Sequence, residues 1–139
     1  MLTTQALIDA ALARGLREKL PVEWFAYHCK ACPCAYPRWP NSICPMCGTI
    51  RLVVKGEQPT YIGPDLTAPA NLYELMRFAD AVFWAMTIYF EDGPIGCKVF
   101  AWPGSASTEI LTKGPDRTTA VLAACAKALN IEEFTNANL

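Results

Sequence analysis

Four of the seven cysteines in this 139-residue chain fall at metal-ligand spacing. Cys29 and Cys32 form one C-x-x-C pair, and Cys44 and Cys47 form a second within C-P-M-C-G. Two short knuckles, each offering two thiolates from one tight turn, supply the tetrahedral soft-ligand set that zinc takes in structural sites, with little backbone strain. Gly48 follows the second pair, where a knuckle turn calls for a residue tolerant of positive φ. Four protein thiolates close the coordination sphere, so the expected metal is structural, with no open position for water or substrate. Two substitutes for a knuckle ligand stay open: Cys34, two residues after Cys32, and His28, beside Cys29. Whether the ion is zinc or iron also stays open, with zinc the expected cofactor.

The remaining reactive residues give little support to catalysis. The chain has one histidine, and it sits beside a knuckle, so Ser–His and Cys–His schemes have no base to draw on. Cys97 and Cys125 lie on an apolar strand and an apolar helix stripe, where a thiol behaves as a small, protonated hydrophobe. Asp65, Glu91 and Asp92 fall in turns and are explained by capping and solvation, and no glycine-rich phosphate loop is present. The expectation is a non-enzyme. Between the knuckles, Tyr36, Arg38 and Trp39 interleave aromatics with a base, with Lys30 and Arg51 nearby. Such a patch anchors a protein partner or stacks on unpaired nucleotides, or else simply covers a small metal core.

Composition places these residues in a folded chain. It is 53% hydrophobic and 18% charged, enough to bury a core. The net charge of −1 divides unevenly, with basic residues in excess over residues 1–60 and acidic ones over 61–139. Four thiolates around a divalent ion leave the centre formally dianionic and offset the basic excess, so neither half binds polyanions on charge alone. An odd cysteine count with four at metal spacing fits a reducing compartment better than a disulfide framework. The N-terminus lacks the pattern of a signal peptide, and the longest apolar stretch, near residues 81–90, is too short to cross a bilayer. A soluble, cytoplasmic protein is expected, with no membrane partner. The oligomeric state is left open.

The elements that must position the cysteines follow from periodicity. Leu7, Ile8, Ala11, Leu12 and Leu16 predict a helix over residues 4–20, capped by Thr3 or Thr4 and closed before Pro21. Residues 22–28 predict a strand into the first knuckle, and residues 50–55 a strand leaving the second. Pro37 and Pro40 make the intervening stretch an extended loop or edge. Strand, knuckle, loop, knuckle and strand make the layout of a zinc ribbon. Residues 56–69 are turn-rich and read as a join. Thereafter a helix is predicted over 67–79, strands over 81–90, 95–102 and 108–111, and a helix over 117–129, capped by Asp116 and stopped at Asn130. Both faces of the 81–90 segment are apolar, which predicts a strand covered on both sides or central in its sheet. The fold class is therefore α+β: an N-terminal helix (1–21), a zinc ribbon (22–56) and a helix–three-stranded antiparallel sheet–helix domain (57–139).

The segment Pro59–Met76, the Trp84 strand and the closing helix Thr119–Leu129 together resemble the phage ABA sandwich domain family, over about residues 59–130. The resemblance implies a phage or prophage origin and a compact layered α/β fold, and it brings no catalytic residues. The helix–three strands–helix order also describes double-stranded-RNA-binding domains. Those clamp phosphates with a basic turn at the last helix, whereas Asp116 and Arg117 here set one acid beside one base. The function expected is that of a zinc-binding phage accessory protein acting on a host protein, as an inhibitor of a bacterial defence system such as CRISPR would. Two alternatives are a nucleic-acid-binding zinc ribbon in phage transcription or replication, and a protein that sequesters a nucleotide signal in its α/β domain.

Overall fold

The computed structural model describes residues 2–29, 32–33, 35–36, 44, 46–48, 60–90, 96–104 and 108–131, with the backbone alone at 27, 28, 35 and 36. The chain divides into two compact units: Met1–Leu20 with Asp65–Leu139, and Pro21–Pro64. The fold is α+β, as the periodicity predicts.

In the first unit, helix α1 (Thr4–Ala13) starts at Thr3, whose hydroxyl accepts the Ala6 N–H at 3.1 Å. It ends well short of the predicted Leu20. Gly15 takes φ +73°, and the N–H groups of Gly15 and Leu16 fold back onto the carbonyls of Leu12 and Ala11. This paired closure satisfies the last helical carbonyls and needs a left-handed residue at the turn, which glycine adopts without strain. A three-ten turn at Arg17–Lys19 carries the chain on to Leu20. Leu7, Ile8 and Ala11 are fully buried, so the apolar stripe of α1 is spent on the core. Thr4 adds a polar link: its hydroxyl donates to Asp65 Oδ1 at 2.8 Å and accepts the Leu66 N–H at 2.8 Å.

Pro69 opens a three-ten turn (Pro69–Asn71) that runs into helix α2 (Leu72–Val82), which buries Leu75, Phe78, Ala79 and Ala81. Three antiparallel strands follow in the order β4 (Ala85–Phe90), β5 (Cys97–Trp102) and β6 (Ile110–Gly114). Met86, Ile88 and Phe90 stand opposite Ala101, Val99 and Cys97, which are buried, so these residues share the helix-side face. Helix α3 (Arg117–Ala128) packs on β5 and β6 and against α2. Every residue from Ala120 to Ala126 is buried, as expected of a helix covered on all sides. Its alanines let neighbouring backbones approach, and Thr112 uses that closeness to donate to the Ala120 carbonyl at 2.7 Å. Asp116 caps α3 by accepting the Thr119 N–H at 2.8 Å, and Asn130, at φ +54°, closes it with the same paired motif as Gly15.

The segment 81–90 departs from its prediction twice. Ala81 and Val82 complete α2, and the strand starts only at Ala85. That strand lies at the end of the sheet order, and Tyr89 and Phe90 are 52% and 65% exposed. Two apolar faces do not make it a central strand within one chain.

The second unit is a three-stranded antiparallel sheet in the order β2-β1-β3, comprising β1 (Phe25–His28), β2 (Ala35–Tyr36) and β3 (Thr60–Tyr61). β3 falls inside the stretch read as a join, because two residues between Pro59 and Gly63 carry no periodic signal. The strand predicted over 50–55 lies outside the described residues. Among the described residues, no helix is long and apolar enough to cross a membrane.

Candidate metal centre

β1 and β2 form a hairpin, with Tyr27 opposite Tyr36 and His28 opposite Ala35. Cys29 and Cys32 lie in its loop, so the first knuckle hangs from two paired strands. β1 is itself held on its other side by β3, through Phe25–Tyr61 and Ala26–Thr60 pairing. Behind the strands, the Tyr61 ring meets Trp24 and Phe25 edge-on at 6.1 and 5.9 Å between centroids. Its hydroxyl donates to the Pro64 carbonyl. Trp24, Phe25 and Ala26 are all buried. Tyr61 thus backs the strand that presents Cys29. The sequence offered one faint signal for it, an aromatic residue within a turn-rich stretch.

The second knuckle is a tight turn in which the Gly48 N–H reaches back to the Cys44 carbonyl at 2.9 Å, with Gly48 at φ +74°. This is the conformation that a side-chain-bearing residue would resist. Cys44 is 1% exposed, whereas Cys47 is open to solvent.

The two knuckles bring together the four predicted ligands. The sulfurs of Cys29, Cys32, Cys44 and Cys47 all lie within 4.8 Å of one another. Cys29 Sγ is 3.6 Å from Cys47 Sγ, and Cys32 Sγ is 3.7 Å from Cys44 Sγ. A disulfide would need about 2.05 Å. A tetrahedron with metal–sulfur bonds of about 2.3 Å has edges of roughly 3.8 Å, which these two separations nearly match. Both of these contacts run between the knuckles, so the cluster draws on both turns. An all-sulfur tetrahedral set suits zinc or iron.

Tyr36 begins the loop predicted to meet a partner, and its backbone is fixed by pairing to Tyr27. Arg38, Trp39 and Cys34 lie outside the described residues, as do the side chains of Tyr36 and His28. The two further cysteines occupy the core of the other unit, where burial pushes the thiols of Cys97 and Cys125 up from their ordinary pKa. Both are poor nucleophiles there.

An α+β protein with a four-cysteine cluster able to hold a metal ion is the class that fold and site define. No protein-family model, curated protein or solved structure matches the chain.

Proposed function

We propose that this is a phage or prophage accessory protein, not an enzyme, in which a zinc-fastened module binds a protein of the bacterial host. The observation that carries the reading is the convergence of four cysteine sulfurs from two knuckles within 4.8 Å. Four thiolates around one ion leave no coordination position for substrate, so the metal acts by folding the segment between them. That segment holds Tyr36, Arg38 and Trp39, residue types that anchor protein interfaces. The resemblance of residues 59–130 to phage ABA sandwich domains supports the phage setting, and a defence system of the host cytoplasm is the target class it suggests.

The test has two parts. Elemental analysis should find one zinc per chain, and an iron site would instead declare itself by thiolate-to-iron absorption in the visible range. The immobilised protein should then retain a stoichiometric host protein, and Arg38→Ala with Trp39→Ala should abolish retention at unchanged zinc content. Retention of single-stranded DNA that weakens with salt and is lost in the same variant would replace the protein partner with nucleic acid. Indifference of every ligand to that variant would refute a role for the loop.

One further observation favours a second reading. A cleft of about 410 Å³ in the unit containing α1 is lined by Arg14, Lys19, Phe83 and Trp84, with one acid, Asp80, and Leu129 among its apolar residues. Trp84 is 69% exposed, an aromatic plane beside two cations. These are the elements that would stack a base and hold a phosphate, as a protein sequestering a nucleotide signal requires. Quenching of Trp84 fluorescence by nucleoside phosphates, lost in Arg14→Ala/Lys19→Ala, would establish it. An unchanged spectrum at millimolar nucleotide would remove it.

A further inference from the structure

The cleft beside Trp84 gathers the C-terminal ends of α1, α2 and α3, through their capping residues Arg14, Phe83 and Leu129. Two of those ends are closed by their own backbone. In α1 the N–H groups of Arg14, Gly15 and Leu16 return to the carbonyls of Ala11 and Leu12. In α3 those of Leu129, Asn130 and Ile131 return to Cys125, Lys127 and Ala126. The end of α2 is different. Only the Phe83 N–H turns back, to Ala79, after which the chain leaves extended and the Trp84 N–H donates to Trp102. Among the described residues no donor reaches the carbonyls of Asp80, Ala81 and Val82, all of which line the cleft, although Ala81 is only 5% exposed. Terminal carbonyls left open by the chain itself call for a donor from outside it.

The side chains divide in the same way. At the end of α2, Asp80 carries acceptors only, and Trp84, four residues on, presents an exposed ring face. The two cations of the cleft, Arg14 and Lys19, come from a different part of the chain, the end of α1 and the three-ten turn after it. Among the described residues none of these three charged side chains makes an ion pair or a hydrogen bond. A phosphate belongs with the cations, because a carboxylate and the negative end of a helix dipole both repel it. What lies on Trp84 at the α2 end must therefore bring N–H donors.

We propose, resting on the reading of this cleft as a nucleotide site, that its ligand is a guanine nucleotide and that Asp80 selects the base. Guanine alone among the four RNA bases sets two adjacent donors, N1–H and the N2 amino group, on one edge, so both carboxylate oxygens of Asp80 accept at once. Adenine, cytosine and uracil each put an acceptor where one of those donors would stand, and a lone pair then faces the carboxylate. The open carbonyls beside Asp80 deepen that preference, since they too favour a donor edge over an acceptor edge. Trp84 stacks on the base without regard to its identity, and Arg14 and Lys19 hold the phosphate. At about 410 Å³ the cleft lies in the lower part of the roughly 300–1,000 Å³ range of ligand sites, which suits one nucleotide rather than a dinucleotide.

Calorimetric titration of the full metal-loaded chain with guanosine, adenosine and xanthosine monophosphates separates this proposal from the reading beneath it. Guanosine monophosphate should bind with a Kd at least about tenfold below that of adenosine monophosphate. Asp80→Asn should weaken guanosine monophosphate by a similar factor and turn the preference to xanthosine monophosphate. The amide oxygen still accepts N1–H, while its NH₂ donates to the oxygen that xanthine carries in place of the N2 amino group. Asp80 is exposed, so the variant should fold as the wild type does, which circular dichroism checks. Equal affinity for guanosine and adenosine monophosphates, or an unchanged preference in Asp80→Asn, overturns the guanine proposal. So does a loss of binding on going to 2′-deoxyguanosine monophosphate that disappears in Asp80→Asn, which would set Asp80 on the ribose. In each of these cases the nucleotide reading stands if Arg14→Ala/Lys19→Ala still abolishes binding. Failure of every nucleotide to bind at millimolar concentration overturns both.

Discussion

The unequal burial of the four sulfurs makes the metal site testable ligand by ligand. Cys44 is 1% exposed, and Cys47 sits at the surface of the same turn. Structural zinc sites contribute roughly 10–16 kcal/mol of apparent binding free energy, so an even share is about 3 kcal/mol per thiolate, or roughly 100-fold in affinity. Replacing either cysteine with serine removes that share. At Cys47 water can enter the vacated corner and recover part of it. At Cys44 water has no access, and the new hydroxyl is buried against a site it ligates poorly, which adds about 1–3 kcal/mol. Cys44→Ser should therefore lower zinc affinity by more than about 100-fold, and Cys47→Ser by roughly tenfold less than that. Competition against a chromophoric chelator measures both. Hydrogen exchange of β1 and β2 should rise in the same order, while exchange in α3 should stay at its wild-type level. An equal loss in the two variants, or a greater loss in Cys47→Ser, would refute the argument from burial. Wild-type affinity in Cys44→Ser would refute its assignment as a ligand.

Three other outcomes follow from the unit containing α1. A Cβ built on Gly15 meets nothing within 4 Å, so Gly15→Ala should cost only the left-handed backbone strain, about 1 kcal/mol, read as a lower midpoint in urea. Thr112→Val removes the buried hydroxyl that donates to the Ala120 carbonyl, which keeps its bond within the helix, and should destabilise by about 1 kcal/mol, lowering Tm by a few degrees. Asp65 is held below the usual aspartate pKa by the Thr67 hydroxyl first, then by Thr4 and the Thr67 N–H. A depressed folded pKa contributes stability that is present above the unfolded value and lost as pH falls through the folded one. Acidification should therefore loosen the Thr4–Asp65 link, and Asp65→Asn should flatten the acid limb of the stability curve in circular dichroism melts.

Much of the fold was legible because its signals are local. Thr3 and Asp116 cap the helices that follow them, and Asn130 stops α3, since a cap needs only the residues of one turn. Gly15 is equally informative, yet the apolar pattern that runs on to Leu16 masks it, and only its left-handed conformation shows that it closes the helix. β3 was hidden because two residues show no period. Thr4 and Asp65, 61 positions apart, gave no sign of their hydrogen bond.

The sequence by itself determined the four candidate ligands. Two C-x-x-C pairs with a glycine after the second encode their own turn geometry, and the structure adds only that the pairs meet. It also determined that the segment ending at Phe90 is apolar on both faces, since strand alternation is a property of the chain. Where that strand sits was decided by tertiary structure alone. Burial depends on which neighbours the sheet order supplies, and one chain supplies β5 on a single side. The same holds for Cys44 and Cys47: their spacing is identical to that of the first pair, and only packing against the rest of the unit makes one ligand buried and the other open to water.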